Sequence, residues 1–142
     1  MSQENVEIVR RMYDAGQEVG SVVKGGGNLT AHPAMRLFHP ECVLEEPAEI
    51  PDGATYHGRE GIARFFQGIY GEVWDEWRVV PTEIISGPDG VFAAVHNAGR
   101  SMSGAEVEMQ VFQTFRFRDG MISHATAGFD RSKALKAVGL EE

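Results

Sequence analysis

Residues 91–129, VFAAVHNAGRSMSGAEVEMQVFQTFRFRDGMISHATAGF, hold three of the four β runs that decide the fold. The runs span about 91–101, 106–118 and 121–129, and a fourth at about 76–86 precedes them. GPDG at 87–90, SG at 103–104 and RDG at 118–120 separate them, and turns that short connect only antiparallel neighbours. A four-strand antiparallel meander follows. On the run 106–118, Val107, Met109, Val111, Gln113, Phe115 and Phe117 share one face, while Glu106, Glu108, Gln110, Phe112, Thr114, Arg116 and Arg118 share the other. The apolar face belongs inside, and Gln113 is its one polar member, so its amide needs a partner or a ligand there.

The neighbouring runs are read from that parity. On 91–101, Ala94, His96, Ala98 and Arg100 form one face and Val95, Asn97 and Gly99 the other. Small alanines around one imidazole and one guanidinium make an odd core and a reasonable pocket wall. The expectation is that the His96 face joins Gln113 on the concave side. On the last run Ser123, Ala125, Ala127 and Phe129 point inward, leaving His124 and Thr126 outside.

Upstream the period is helical. Val6, Val9 and Tyr13, widened by Ile8 and Met12, predict a helix over 3–19. Gly20–Pro33, with three consecutive glycines, reads as a flexible connection. A short helical turn at Ala34–Phe38 and a strand at Cys42–Glu46 precede a loop over 47–58. Ile62, Phe65, Phe66, Ile69, Tyr70 and Val73 then follow the spacing of a wide buried helix face. Asp130 caps a last short helix that ends at Gly139. The class is α+β: a curved antiparallel sheet wrapped around helices, leaving a cone with an open mouth, in one domain over 1–142. A cone of that kind is a ligand pocket.

Composition limits the partners. A net charge of −8 argues against nucleic acid, whose phosphates need clustered Lys and Arg. No apolar stretch reaches the roughly 18 residues of a membrane span, and MSQENVEIVRRMY has no secretory character, so a soluble cytoplasmic protein is expected. Cys42 is the single cysteine, which excludes an internal disulfide and a Cys-rich zinc site. His39 and Cys42 lack the further ligands of a metal site, and no metal or other cofactor is expected.

MSQENVEIVRRMYDA, LFHPECVLEEP, YHGREGIARFF, FRFRDGMI and FDRSKALKAVGL, in that order, resemble the nuclear-transport-factor-2-like superfamily and most closely its SnoaL-like branch. The resemblance implies a cystatin-like, cone-shaped α+β barrel. It leaves function open, since this fold hosts isomerases, cyclases, hydrolases, dehydratases and non-catalytic binders. Among ketosteroid isomerase relatives, Glu46-Pro47 is similar to the pair that supplies the general base, and Gln113 falls where an oxyanion-hole acid stands. Their oxyanion tyrosine matches Met12, with Tyr13 one residue away on a different face, and a supporting tyrosine matches Phe66. By that match the base position is kept and the phenol network is lost, which argues against a steroid isomerase.

The candidate catalytic residues are therefore Glu46, His96 and Gln113, with Arg100 beside Gln113 to hold a developing oxyanion. Adjacent Glu45 and Glu46 point to opposite faces, and the resemblance favours Glu46 for the pocket. Tyr13, His57, Phe65, Phe66, Trp77, Phe115 and Phe129 complete the expected ligand-binding set. The expected activity is cofactor-independent proton transfer on a small apolar carbonyl or polyketide-like compound: isomerisation, aldol-type cyclisation or dehydration. The alternative is a non-catalytic small-ligand-binding or dimerisation module. A homodimer through the outer sheet face is expected, because Phe112 would otherwise be an exposed aromatic.

Overall fold

The computed structural model describes residues 2–47 and 54–141. Six strands form one curved sheet in the order β2-β1-β6-β5-β4-β3. They are β1 (Phe38–Glu45), β2 (Thr55–His57), β3 (Trp74–Gly87), β4 (Gly90–Ser101), β5 (Glu106–Arg118) and β6 (Met121–Gly128). The meander β3–β6 is antiparallel throughout, and β1 joins it parallel to β6. β2 was not expected: it lies within the stretch read as loop, of which residues 48–53 are outside the described residues.

Helices α1 (Ser2–Asp14), α2 (Gly16–Lys24) and α3 (Gly58–Gly68) cover the concave face. Val9, Val19, Leu29, Met35, Phe38, Ile62 and Tyr70 pack there against Val91, Ala93, Val95, Phe115 and Ile122. The helix expected over 3–19 breaks at Ala15, and α2 runs on through residues assigned to a flexible connection. Leu29, in the same stretch, is fully buried in a short 3-10 turn. Burial of Val19 and Leu29 holds a segment whose glycines favour freedom. Gly20 is needed for another reason: a Cβ there would stand 3.0 Å from the Tyr70 ring. α3 ends in a π-helical turn, Ile69–Val73, which shifts the helix phase and leaves Val73 half exposed.

Helix α4 (Arg131–Ala137) covers the convex face instead. Ala134, Leu135 and Val138 pack on Phe92 and Ala94. Asp130 accepts a hydrogen bond from the Lys133 N–H, and Gly139 takes the left-handed φ of +82° after the helix, as the sequence predicts. Phe112 stacks on Phe92, with ring centroids 6.1 Å apart, beside this cluster. It is half-buried within one chain, so this side chain does not itself call for a second copy. Among the described residues no helix is long and apolar enough to cross a membrane.

The register of β4 against β5 overturns one expectation. Ala93 pairs with Gln113, Val95 with Val111 and Asn97 with Met109, so odd-numbered residues of both strands share the concave face. A two-residue turn at Ser103-Gly104 would pair Met102 with Ala105 and set Gln113 beside the alanine face that carries His96. The observed turn is longer. Ser101 N–H donates to Ala105 O, Ala105 N–H to Ser101 Oγ, and Gly104 N–H to Ser101 O. A one-residue change in register moves every side chain to the other face. The alternation along β4 could not correct the error, because Val91–Val95 are buried on both faces, under α1 and α4.

Candidate functional site

On the concave face the Tyr13 hydroxyl, carried on the last turn of α1, donates a hydrogen bond to Gln113 Oε1 in the middle of β5. The Tyr13 ring stands edge-on to Phe115, with centroids 6.3 Å apart. Burial pushes the Tyr13 phenol well above its ordinary value, so it remains a neutral donor. Both side chains are half-buried, which leaves the pair within reach of a bound molecule. Tyr13 thus occupies the concave face beside Gln113, where the resemblance had set it on a different helix face.

Glu46 follows β1 and shares the concave parity of Leu44, which pairs with Ala125. Glu45 pairs with Thr126 and lies on the convex side, 3.7 Å from His124. Extending that ladder by one residue sets Glu46 beside Ala127, and Ala127 pairs with Gln113. Two strand spacings put the Glu46 and Gln113 backbones about 10 Å apart, with only a methyl group between them. Tyr56, which pairs with Leu44, is on the same face, and burial together with the nearby Glu46 carboxylate pushes the Tyr56 phenol up. Tyr56 packs in turn on Phe65, centroids 5.3 Å apart.

The other expected members separate from this set. His96 lies on the convex face, pairing across the sheet with Gln110, and its Nε2 is 3.5 Å from Glu108. Arg100 is there too, held by Asp75 at 2.8 Å and Glu76 at 3.2 Å. Neither can reach Gln113 through the sheet, so the expected convergence of Glu46, His96, Arg100 and Gln113 does not form. His57 pairs with Val43, on the His124 side of β1, and is exposed. Phe66 packs between Phe38 and Tyr70, and Phe129, 41% exposed, stands at the rim. Trp77 lies on the concave face and stacks on Trp74 at 4.3 Å. It rests where Gly99 has no side chain: a Cβ on Gly99 would meet its ring at 2.8 Å and the Glu76 carbonyl at 2.2 Å.

A recess of about 110 Å³ opens between the α1–α2 junction, Tyr70 and strand β3. Tyr13, Gly16, Gln17, Tyr70, Trp77 and Val79 line it. A larger hollow of about 580 Å³ lies at the β3–β4 hairpin, lined by residues such as Glu4, Asp89 and Phe117, and contains none of the polar groups described above. Asn97 is the residue that sequence reasoning set aside. It faces the concave side opposite Val79, is buried, and its Oδ1 has no hydrogen-bond partner among the described residues. The signal that could have found it is the register of the β4–β5 turn. Among the described residues no group of three or more His, Cys, Asp or Glu is placed to hold a metal ion.

Comparison with known proteins agrees with this architecture. A SnoaL-like domain profile matches residues 9–125. No curated protein matches the sequence. Many solved structures do, among them an NTF2-like protein of unknown function from Burkholderia pseudomallei K96243, with a TM-score of 0.71, 18% identity, and 98% of this chain and 99% of that one covered. A putative SnoaL-like polyketide cyclase from Jannaschia sp. CCS1 superposes with a TM-score of 0.70 at 17% identity, covering 100% of this chain and 96% of that one. A hypothetical protein with a ketosteroid isomerase-like fold from Catenulispora acidiphila DSM 44928, in complex with trimethylamine, gives 0.68 at 21%, covering 94% and 93%. At these identities the likeness concerns the fold.

Proposed function

The chain belongs to the SnoaL-like domain family, and from that premise we propose that its concave face binds a small apolar carbonyl compound and moves a proton on it without a cofactor. The observation that carries this reading is the Tyr13–Gln113 hydrogen bond. With Gln113 accepting from Tyr13, the Gln113 NH₂ is free to donate to a ligand oxygen. If the carboxamide turns over, its NH₂ donates to the Tyr13 oxygen and the phenol proton is released to the ligand. In either arrangement a neutral donor faces the place where negative charge would develop on a carbonyl oxygen. Such donors do most when water is excluded.

Glu46, on the same face, is the proton acceptor. A carbon next to a carbonyl becomes acidic when its enolate is stabilised, so the carboxylate removes the proton as Tyr13 and Gln113 take up the charge. Glu46 then returns the proton: to another carbon it gives isomerisation, to the alkoxide formed when the enolate attacks a second carbonyl it gives cyclisation, and to a departing β-hydroxide, lost as water, it gives dehydration.

The test uses 2-tetralone in D₂O, with α-proton exchange followed by NMR, and 2-naphthol as a mimic of its enolate. Exchange above the buffer rate, lost in Glu46→Gln while 2-naphthol binding persists, is the expected result. Binding without exchange overturns the catalytic part and leaves a binding protein. Unchanged 2-naphthol affinity in Tyr13→Phe and Gln113→Leu removes the anchor altogether.

A further inference from the structure

Asn97 stands out among the polar side chains of the concave face. It is 8% exposed, and its Oδ1 is buried without a hydrogen-bond partner among the described residues. An unpaired buried amide oxygen is costly, and native folds keep few of them. Its surroundings on the sheet offer no relief. Val79 and Met109 flank it on the neighbouring strands, and Val95 and Gly99 are its same-face neighbours along β4. Val95 is fully buried, and Trp77 lies over Gly99. An apolar residue here would fold without the penalty.

A second observation connects this oxygen to the binding site. Val79, directly opposite Asn97, lines the same 110 Å³ recess as Tyr13. Tyr13 and Val79 thus line one recess, and Asn97 is the residue beside Val79 on the next strand. Ala93 pairs with Gln113, and Asn97 lies four residues further along β4, so the two backbone positions are about 14 Å apart along the strand. Curling of the sheet brings the side-chain ends closer together than the backbones.

We propose that Asn97 is a ligand-binding residue whose Oδ1 accepts a hydrogen bond from a hydroxyl or N–H group of the bound molecule, remote from the oxygen held by Tyr13 and Gln113. The inference rests on the binding reading above and sharpens it. The ligand class becomes an elongated, mostly apolar molecule with an oxygen acceptor at one end and a donor at the other. The unpaired oxygen of the empty protein is then satisfied on binding. A ligand lacking the distal donor leaves it unpaired and is discriminated against.

Two rigid probes differ only in that donor: 4-phenylphenol and 4,4′-dihydroxybiphenyl, each titrated by calorimetry. The wild type should bind the diol about five- to tenfold more tightly, the effect of one net hydrogen bond. In Asn97→Leu and in Asn97→Ala that preference should disappear. The unfolding midpoint of Asn97→Leu should be unchanged or higher, which a structural role for the amide would not allow. Equal binding of both probes by the wild type overturns the inference, and so does a preference that survives either substitution. In those cases the Tyr13–Gln113 anchor still stands. If neither probe binds the wild type, the anchor reading fails and takes this inference with it.

Discussion

On the convex face of the sheet, the two candidate residues of β4 each have a carboxylate at hand: His96 has Glu108, and Arg100 has Asp75 and Glu76. Thr114 and Thr126 hydrogen-bond to each other across the same face. The concave face treats its polar groups differently. Among the described residues Tyr13 and Gln113 hydrogen-bond to each other, and Asn97 Oδ1 has no partner. His96 and Asn97 are consecutive residues, so composition cannot account for the contrast. A surface that faces water solves each charge locally. A buried face that keeps an unpaired polar group does so at a cost to stability.

The largest effect expected from this contrast comes from charging the dry side. Val95→Asp places a carboxylate at a fully buried position that pairs with Val111. It should destabilise the domain by about 4 kcal/mol or more and leave little folded protein at 25 °C. Thermal unfolding followed by circular dichroism measures it. A midpoint within a few degrees of wild type would mean that the concave side of β4 is wet.

Tyr13→Phe is expected to cost less, about 1–2 kcal/mol, because it removes one hydrogen bond and leaves the half-buried Gln113 amide without its partner. In a double-mutant cycle with Gln113→Leu, the two changes together should cost less than the sum of the single changes. Strict additivity would show that the pair is not coupled.

A smaller effect appears at high pH. Tyr13 and Tyr70 both have phenols pushed up, chiefly by burial. A group whose pKa is raised by folding contributes stability that is complete below its unfolded value, near 10, and is lost as pH climbs from there towards the folded value. Stability should therefore fall above about pH 10, and the fall should be shallower in Tyr13→Phe. Urea midpoints at pH 8, 10 and 11 compare the two slopes. Parallel slopes would place the Tyr13 ring in solvent.

Helices α1 and α3, the meander and its turns, and the Asp130 and Gly139 caps were legible, because each rests on local periodicity or turn chemistry, whereas α2 was hidden by its glycines. Gln113 was legible for the same reason: β5 alternates cleanly, and one polar residue on its apolar face stands out. What could not be read was the phase of β4. Its first half is apolar on both faces, since α4 returns from the far end of the chain to cover the outside. Only the turn after Ser101 fixes the phase, and its hydrogen bonds use the backbone and a serine hydroxyl in a way that Ser103-Gly104 alone does not declare. From that one residue of register came both errors at the site, His96 taken as inside and Asn97 as outside. The partnership of Tyr13 with Gln113 joins residues 100 positions apart, and no local pattern reports it.

The smallest effects belong to the convex charges, and they complete the contrast. His96 is 42% exposed at its side chain, and its partner Glu108 is 75% exposed, so water competes for both. His96→Ala should change stability by no more than about 0.5 kcal/mol. Arg100, with 42% of its side chain exposed, should leave the unfolding midpoint unchanged when replaced by Ala, since Asp75 and Glu76 are well solvated without it. Neither substitution should alter 2-naphthol affinity or the tetralone exchange rate, because the sheet itself stands between these groups and the Tyr13–Gln113 pair. The same measurements on Asn97→Leu, one residue from His96, should show the opposite pattern: a fold as stable as before and a changed ligand preference. If His96→Ala weakened 2-naphthol binding tenfold while Asn97→Leu left the diol preference intact, the assignment of the two faces would be inverted, and the register of β4 on β5 with it.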